Sequence, residues 1–249
     1  MSDLITPTQP VFRNVLASPM SVRGAGVEAE LATQWDGTND WAAYSTTPTN
    51  LSTTGPAFTM SFFFRCDSSG IFHGIYGTPT STHVYVLVRS VGSLHLQVRD
   101  TAGSLLLNHV NVGPTDLHDG NVHHVIFGLD RLGNKTQLVI DGTTRVNTTY
   151  PTANDVAIMG ATMDMISVTG FKFHGAWWEV WADDTAHDVV TNLTTWRAAD
   201  GSPADLGSDG SAPGAQPVIY YPDGNPADNK GSGGNATITG APTQIVRPT

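Results

Sequence analysis

Several residue types are scarce in this chain, and each scarcity excludes a class of function. The 249 residues include a single cysteine, Cys66, which excludes an intrachain disulfide and a zinc site built on cysteines. Lysine occurs only three times, so no basic patch can be assembled from ammonium groups, and the formal net charge of -10 argues against the clustered Lys and Arg that phosphate contacts need. We therefore expect no nucleic-acid partner. The apolar run around Cys66 predicts a small buried side chain rather than a reactive thiol.

Glutamate is just as scarce, being present only as Glu28, Glu30 and Glu179. A glycosidase needs two carboxyl groups flanking the scissile bond, about 5–9.5 Å apart. Glu28 and Glu30 have no partner aspartate between them, and Glu179 stands alone in "WWEVW". No nucleophile triad, phosphate-binding loop or dinucleotide fingerprint occurs. We therefore expect no catalytic residues and no enzyme activity.

Long apolar runs are also missing. None approaches the roughly 20 residues that cross a bilayer, so we expect no membrane insertion. The first residues, "MSDLITPTQPVFRN", show no basic segment followed by an apolar one, so we expect no signal peptide. These features predict a protein that is made in a cytoplasm and does not leave it by the secretory route.

The abundant residues are Thr, Ser, Asn and Gly, which favour strands and turns. In "AFTMSFFFRC" (57–66), apolar side chains recur with a period of two, which indicates a strand with one buried face. Similar segments follow at short spacing and predict an all-β fold, an antiparallel β-sandwich or jelly roll. One short helix is predicted near 185–200, with Asp184 or Thr185 as N-cap, plugging one side of the sandwich.

The chain divides into an arm and a domain. Residues 1–30 contain three prolines and no periodicity, which indicates an arm lying on a surface. Residues 31–249 form the sandwich domain. Within it, residues 201–235 are rich in Gly, Pro, Asp and Ser and are predicted to be irregular but tethered, and "NATITG" (235–240) is predicted to be a returning strand.

Three segments together resemble the laminin-G-like, concanavalin A-like jelly-roll family. "QWDGTNDWAAY" (34–44) is similar to the family's opening strand, and "DGNVHHVIFGLDRLGNKTQLVIDG" (119–142) to its paired-histidine strand and Asp-Gly turn. In the second segment, Val122 and Val139 stand where the family has Trp and Tyr. "FHGAWWEVWADD" (173–184) resembles the strand before the family's short helix. The tail "NKGSGGNATITGAPT" is similar to the close of such domains in bacteriophage particle proteins.

This resemblance implies a non-enzymatic virion structural protein, such as a capsid-decorating, head-fibre or tail component assembled in bacterial cytoplasm. The arm would dock on other virion proteins, the sandwich would face outward, and a homo-oligomer is expected. The alternative is a carbohydrate-binding adhesion module for host-surface glycans, and the two roles are compatible.

One hairpin face supplies a candidate ligand site. A loop at Ser90-Val91-Gly92 pairs two strands so that their valines and leucines are buried together. The opposite face then carries an aromatic ring beside planar hydrogen-bonding groups, which suits a sugar or a partner protein. An ordinary solvated face is the alternative. The residues predicted to bind ligand are His83, Tyr85, His95, Gln97 and Arg99.

Three other groups have structural explanations at hand. Adjacent strand residues point to opposite faces, so His123 and His124 cannot chelate one ion together. The three tryptophans of "AWWEVW" are predicted to pack the helix against the sheet rather than to stack on sugar. "DGTND" at Asp36, Asn39 and Asp40 forms a turn without metal, with structural calcium as the alternative. No other cofactor is expected.

Overall fold

A computed structural model describes residues 30–44, 48, 50–67, 73–77, 84–88, 92–110, 116–158, 163–165, 167–168 and 171–249. The predicted arm, apart from Glu30, lies outside the described residues. Among the described residues, no helix has the length and apolar character needed to cross a membrane.

Nineteen strands and one 3₁₀ turn make up the regular structure of the described residues. In chain order they are Leu31–Asp36 (β1), Trp41–Tyr44 (β2), Thr54–Gly55 (β3), Ala57–Cys66 (β4), His73–Gly77 (β5), Tyr85–Val88 (β6), Leu94–Arg99 (β7), Leu105–Val110 (β8), His123–Asp130 (β9), Lys135–Ile140 (β10), Thr143–Thr148 (β11), Val156–Ala157 (β12), Met163–Met165 (β13), Ser167–Val168 (β14), Phe171–Lys172 (β15), His174–Asp183 (β16), Leu193–Thr195 (the 3₁₀ turn), Ile219–Tyr221 (β17), Thr237–Thr239 (β18) and Thr243–Val246 (β19).

Two antiparallel sheets form the sandwich. Sheet A has the order β11-β10-β9-β4-β16-β1-β19. β17 also pairs with β16, along the same edge as β1 but further along the strand. Sheet B has the order β18-β2-β13-β5-β6-β7-β8, and β3–β12 and β14–β15 form small ladders. Because strands distant in sequence are neighbours in both sheets, this is a jelly-roll arrangement, and the predicted all-β sandwich is confirmed.

The main core lies between the two sheets and follows the predicted alternation. From sheet A, Phe58, Met60, Phe62 and Phe64 of β4 are fully buried in it, and sheet B contributes the inward side chains of β6 and β7. The other face of β4, which was predicted to be open, is buried as well, since Ser61 and Phe63 are both inaccessible. A second layer must therefore cover the outer face of sheet A.

That layer comes from the segment after β16, where the predicted helix is wrong. Only Leu193–Thr195 form a 3₁₀ turn, and no side chain caps it. The segment nevertheless packs on sheet A as predicted, in a small apolar cluster that joins its own side chains to those of β9, β10 and β16. The buried members of this cluster are Ile126, Val139, Trp181, Val189, Trp196, Leu206 and Tyr220.

Side chains of β10 explain why the helix does not form. The Val189 backbone N–H donates to Gln137 Oε1 (3.0 Å), so it is not available for a helical bond. The Asp188 carboxylate accepts from Gln137 and from the Thr191 backbone N–H (2.9 and 3.0 Å), and it also pairs with Lys135. Tertiary hydrogen bonds thus override a modest helical propensity.

The carboxyl-terminal part is more ordered than its composition predicts. The segment 201–235 contains β17, whose three residues are buried against β16. The predicted strand in 235–240 is confirmed as β18, and β19, which was not predicted, pairs with β1.

Candidate functional site

The hairpin face predicted to bind ligand has the expected register. Tyr85 is the partner of Gln97 across β6 and β7, and Val86 and Val88 are buried opposite Leu96 and Leu94. His83 and the side chain of Tyr85 lie outside the described residues.

The three described members of this face are His95, Gln97 and Arg99, which are half-buried on the outer side of sheet B. Two of them are already engaged, because Gln97 Nε2 donates to Asn108 Oδ1 (3.3 Å) and Arg99 Nη1 donates to the Gly103 carbonyl (2.7 Å). This arrangement is a flat, hydrogen-bonded sheet surface.

The paired histidines take opposite faces, as strand geometry predicts. His123 lies between two carboxylates, with Nδ1 2.8 Å from Asp141 Oδ2 and Nε2 3.0 Å from Asp119 Oδ1. Burial opposes the charged ring, but the two carboxylates raise the pKa of His123 above its usual value. Since Asp141 also accepts the His124 backbone N–H (2.8 Å), this ion-pair cluster ties β9 to the turn after β10.

His124 points to the outer face of sheet A and is fully buried. Its Nε2 lies 2.8 Å from Ser61 Oγ, and its ring stacks on Phe63 at 4.2 Å between centroids. Burial, with a smaller contribution from the charge of Arg197, lowers the pKa of His124 to about 3, so the ring is neutral. The pair resembles a serine–histidine dyad in distance only, because His124 Nδ1 has no partner among the described residues and no acid orients the ring.

Asp36 and Asp40, the aspartates considered as calcium ligands, accept hydrogen bonds that hold a turn. Asp36 Oδ1 accepts the backbone N–H groups of Thr38, Asn39 and Asp40 at 2.8–3.2 Å. The carboxylate of Asp40 accepts from the Ala241 backbone N–H (2.7 Å) and from that of Asp36 (3.3 Å). These oxygens hold β1, β2 and the chain after β18 together, so they already have partners without a cation.

The tryptophans divide between the two faces of β16 because of a β-bulge. Trp177 points into the main core, and Trp178 and Trp181 both lie on the outer face of sheet A. Trp178 and Trp181 are three residues apart in the strand and share a face because a β-bulge lies between them. The extra residue of the bulge is Glu179, which has a φ of +47°. Trp181 packs on Trp196, as the sequence predicted for the cluster, but Trp178 does not contact that layer's apolar side chains.

Trp178 instead lines a cavity of about 370 Å³, which we call the Trp178 cavity. Its apolar lining comes from Phe63, Val122 and Trp178. One wall is the segment 197–203 and the other is formed by Glu30 and residues 247–249. The Trp178 indole nitrogen is buried and has no hydrogen-bond partner among the described residues. Cavities of this size that combine apolar lining with a few polar groups are typical of ligand sites.

Arg247 fixes one wall of this cavity. Its guanidinium donates to Glu179 Oε1 and to the Pro222 carbonyl (both 2.7 Å), to Glu30 Oε2 (3.0 Å) and to the Leu31 carbonyl (2.9 Å). Glu179 Oε2 accepts from the Tyr220 hydroxyl (2.9 Å). Burial raises the pKa of Glu179 even though Arg247 and Tyr220 favour its charged form. One carboxylate oxygen of Glu179 is therefore engaged in an ion pair with Arg247 and the other in a hydrogen bond from Tyr220.

Arg197 occupies the other wall and is not fixed in this way. Its guanidinium lies against Gly201, where an added Cβ would be 2.7 Å from Nη2. Among the residues that the structure describes, Arg197 makes no direct ion pair. The cavity therefore offers a guanidinium with donors to spare, next to Asp200 and Ser202.

Comparison with known proteins identifies the fold. No protein-family model and no curated protein sequence matches the chain. A solved structure from Bacteroides ovatus, assigned to carbohydrate binding, is 17% identical with a TM-score of 0.58, covering 88% of this chain and 60% of that one. The chain thus spans less than two thirds of that protein.

Two animal proteins are also similar in structure. A heptameric SAP-like pentraxin from Limulus polyphemus is 12% identical with a TM-score of 0.53, covering 88% of this chain and 95% of that one. Mouse laminin alpha1 domains LG4-5 are 13% identical with a TM-score of 0.46, covering 66% and 44%. The predicted jelly-roll fold, which the laminin-G-like resemblance implied, is confirmed by the two structures with TM-scores above 0.5. At these identities the likeness concerns the fold.

The Trp178 cavity was not found from the sequence. Its lining comes from positions near 30, 63, 122, 178, 200 and 247, which no local pattern connects. The one sequence signal was "WWEVW", in which a glutamate interrupts an apolar strand, and its consequence depends on the bulge at Glu179.

Proposed function

We propose that this protein is a non-catalytic carbohydrate-binding module that holds a sugar in the Trp178 cavity. The observation that carries the proposal is one concavity whose lining brings Phe63 and Trp178 together with Arg197, which makes no ion pair among the described residues. Sugars present apolar C–H faces together with hydroxyls that both donate and accept. Such ligands are recognised by aromatic surfaces combined with planar polar groups.

The polar groups of the cavity are balanced in a way that suits a neutral sugar. Arg197 supplies donors, Asp200 supplies acceptors, and Ser202 can do either. Arg247 is already shared by two carboxylates, so the cavity carries no net positive charge that would favour a strongly anionic ligand. The Bacteroides protein of similar fold is assigned to carbohydrate binding, which agrees with this proposal.

A glycan array tests the proposal with two arginine variants. Arg197→Ala removes donors from the cavity lining and breaks no ion pair within the described part of the chain. We expect glycan affinity to fall roughly 10- to 100-fold, as for loss of a charged hydrogen bond. Arg99→Ala removes the equivalent side chain from the hairpin face on sheet B, and Lys230→Ala is a control at an exposed pair. Each variant is checked for folding by circular dichroism.

The outcomes separate the two candidate faces. Loss in Arg197→Ala with retention in Arg99→Ala supports the cavity. The reverse result would move the site to the predicted residues His83, Tyr85, His95, Gln97 and Arg99. If the intact protein retains no glycan on the array, the carbohydrate proposal is wrong.

The virion setting remains a proposal of its own, carried by the sequence resemblance. In it, residues 1–30 attach the domain to other virion proteins of a bacteriophage, the sandwich presents its cavity outward, and a homo-oligomer multiplies weak sugar contacts. Deletion of residues 1–30 is expected to abolish co-purification with particles while circular dichroism shows an intact sandwich. A truncated protein that still decorates particles would contradict the docking role.

A further inference from the structure

A cluster of metal-ligating side chains lies on the core side of sheet A, whereas the Trp178 cavity lies on its outer face. Cys66 ends β4, His73 begins β5, and His118 belongs to the turn before β9. One ligand atom from each residue lies within 4.8 Å of the other two. Three separate segments of the chain thus converge on one point.

The surroundings of the cluster are those of a closed site. His73 and Cys66 are buried, and the rings of His73 and His118 meet edge-on at 4.9 Å between centroids. Phe173 packs on the other side of His73 at 5.7 Å. His118 Nε2 is shielded from solvent and has no hydrogen-bond partner among the described residues. A buried nitrogen lone pair of this kind is unfavourable unless something binds it.

We propose that Cys66, His73 and His118 bind a thiophilic transition-metal ion, with zinc(II) as the ion that fits best. One thiolate and two imidazoles form a ligand set suited to zinc, and three protein ligands leave the fourth tetrahedral position to water or a small molecule. Zinc–sulfur and zinc–nitrogen distances near 2.3 and 2.0–2.1 Å place neighbouring ligand atoms roughly 3.3–3.6 Å apart. Because the ligand atoms lie within 4.8 Å of one another, the cluster would contract by at most about 1.5 Å on binding.

Metal binding breaks two bonds, the S–H bond of Cys66 and one hydrogen bond to His73. The Cys66 thiol loses its proton to solvent as the sulfur–metal bond forms, because the thiolate is the ligand. His73 Nδ1 accepts the His174 backbone N–H at 3.1 Å. This bond is lost whichever ring nitrogen of the neutral imidazole binds the metal, since Nδ1 then either binds the ion or carries the ring proton. One backbone hydrogen bond is thus exchanged for three metal–ligand bonds.

Cobalt(II) titration tests this inference directly. Cobalt replaces zinc in such sites, and a thiolate ligand gives it a sulfur-to-metal charge-transfer band in the near ultraviolet. The chain has a single cysteine, so the band reports on Cys66 alone. With untagged, reduced, full-length protein we expect one equivalent of cobalt to develop the band and zinc to remove it.

Two variants and one control complete the experiment. Cys66→Ser is expected to abolish the band, and His118→Gln to weaken cobalt affinity at least tenfold, since even indirect partners of a metal change affinity by 10- to 100-fold. His187→Gln is the matched control, because His187 is also a half-buried histidine but packs on Trp181 and Trp196. It should bind cobalt as the unaltered chain does.

The result that would overturn the inference is equally clear. Folded, reduced protein that shows no charge-transfer band, or a band with unchanged affinity in His118→Gln, would mean that the three residues do not form a site. Cobalt binding without the sulfur-to-metal charge-transfer band also contradicts the inference, because the ion would then be bound by residues other than Cys66. The outcome does not depend on glycan binding, so the two proposals fail independently.

Discussion

Replacing Arg247 by methionine is the sharpest test of how the outer face of sheet A is held together. The guanidinium satisfies the buried carboxylate of Glu179 and the carbonyls of Leu31 and Pro222. Methionine has a similar length and no charge, so packing is largely kept while these bonds are lost. Glu179 would then retain only the Tyr220 hydroxyl as a partner.

The expected loss of stability is large because both partners are shielded from water. The side chains of Arg247 and Glu179 are only 13% and 10% exposed. Breaking a buried ion pair by removing one partner costs about 3–5 kcal/mol. The second carboxylate, on Glu30, is half-exposed, so its contribution is small. For a chain of this size the melting temperature should fall by roughly 6–20 °C.

The loss should also depend on pH. Burial already raises the pKa of Glu179, and removal of Arg247 raises it further. A carboxyl group whose pKa is raised in the folded state binds more protons when folded than when unfolded, so stability falls as the pH rises through that window. Arg247→Met is therefore expected to be less destabilised at pH 5 than at pH 7, where Glu179 must be charged without a partner.

Urea unfolding followed by tryptophan fluorescence at both pH values measures the effect. Arg99→Met is the matched control, because Arg99 is half-buried and, among the described residues, donates a hydrogen bond to the carbonyl of Gly103 and makes no ion pair. Glu179→Gln in the Arg247→Met background should recover part of the loss. A cost below about 1 kcal/mol at pH 7, or an equal cost at pH 5, would refute the assignment of Glu179 and Arg247 as a buried pair.

Two further predictions concern Gly224 and the ion-pair cluster of His123 with Asp119 and Asp141, which we call the His123 clamp. The two carboxylates raise the pKa of His123, so their stabilisation is present below its unfolded pKa and lost as the pH rises through the folded one. The stability difference between the unaltered chain and His123→Gln, measured by urea unfolding, should therefore be larger at pH 6 than at pH 9, and equal differences would contradict the clamp. Gly224 has a φ of +71° and an added Cβ would lie 2.0 Å from the Trp177 carbonyl oxygen, so Gly224→Ala should cost about 2–5 kcal/mol. Gly103→Ala, with a φ of +86° and open space, should cost only about 1–2 kcal/mol, and equal midpoints in thermal unfolding would show that backbone overlap is unimportant.

The fold was predictable because its signals are local. The alternation in β4 and the hairpin of β6 and β7 each fit within one or two strands, and a period of two has a single structural meaning. The opposite faces of His123 and His124 follow from the same rule. Burial of Phe63 was not predictable, because it depends on a covering layer that has no periodicity of its own.

The predicted helix failed for a related reason. Its apolar spacing was correct, and Val189 and Trp196 are buried against sheet A. Apolar spacing does not reveal that Gln137 and Lys135, some fifty residues earlier, supply hydrogen bonds that compete with the helical ones. The sequence thus predicted what the segment covers but not its backbone conformation.

The candidate sites required the tertiary structure even more. Cys66 was predicted to be a small buried side chain, and the fold brings it to His73 and to His118, which is 52 positions away. Spacing rules for metal ligands apply to residues on one turn or one strand. They cannot find a cluster that a jelly roll assembles from two strand ends and a turn.

The position of the Trp178 cavity follows from how sheet A is covered. The segment after β16 packs on the outer face of sheet A and supplies the wall at 197–203, and Arg247, directly after β19, supplies the opposite wall. Between these two covers lies the Trp178 cavity, with Phe63 and Trp178, each 1% exposed, at its base. A single sheet face, such as that of β7, contacts a ligand from one side, whereas the Trp178 cavity adds the walls at 197–203 and at Glu30 and 247–249. Since one wall is fixed by the buried ion pair of Arg247 and Glu179, and Arg197 on the other wall makes no ion pair among the described residues, a ligand that engages Arg197 breaks no ion pair described in the fold.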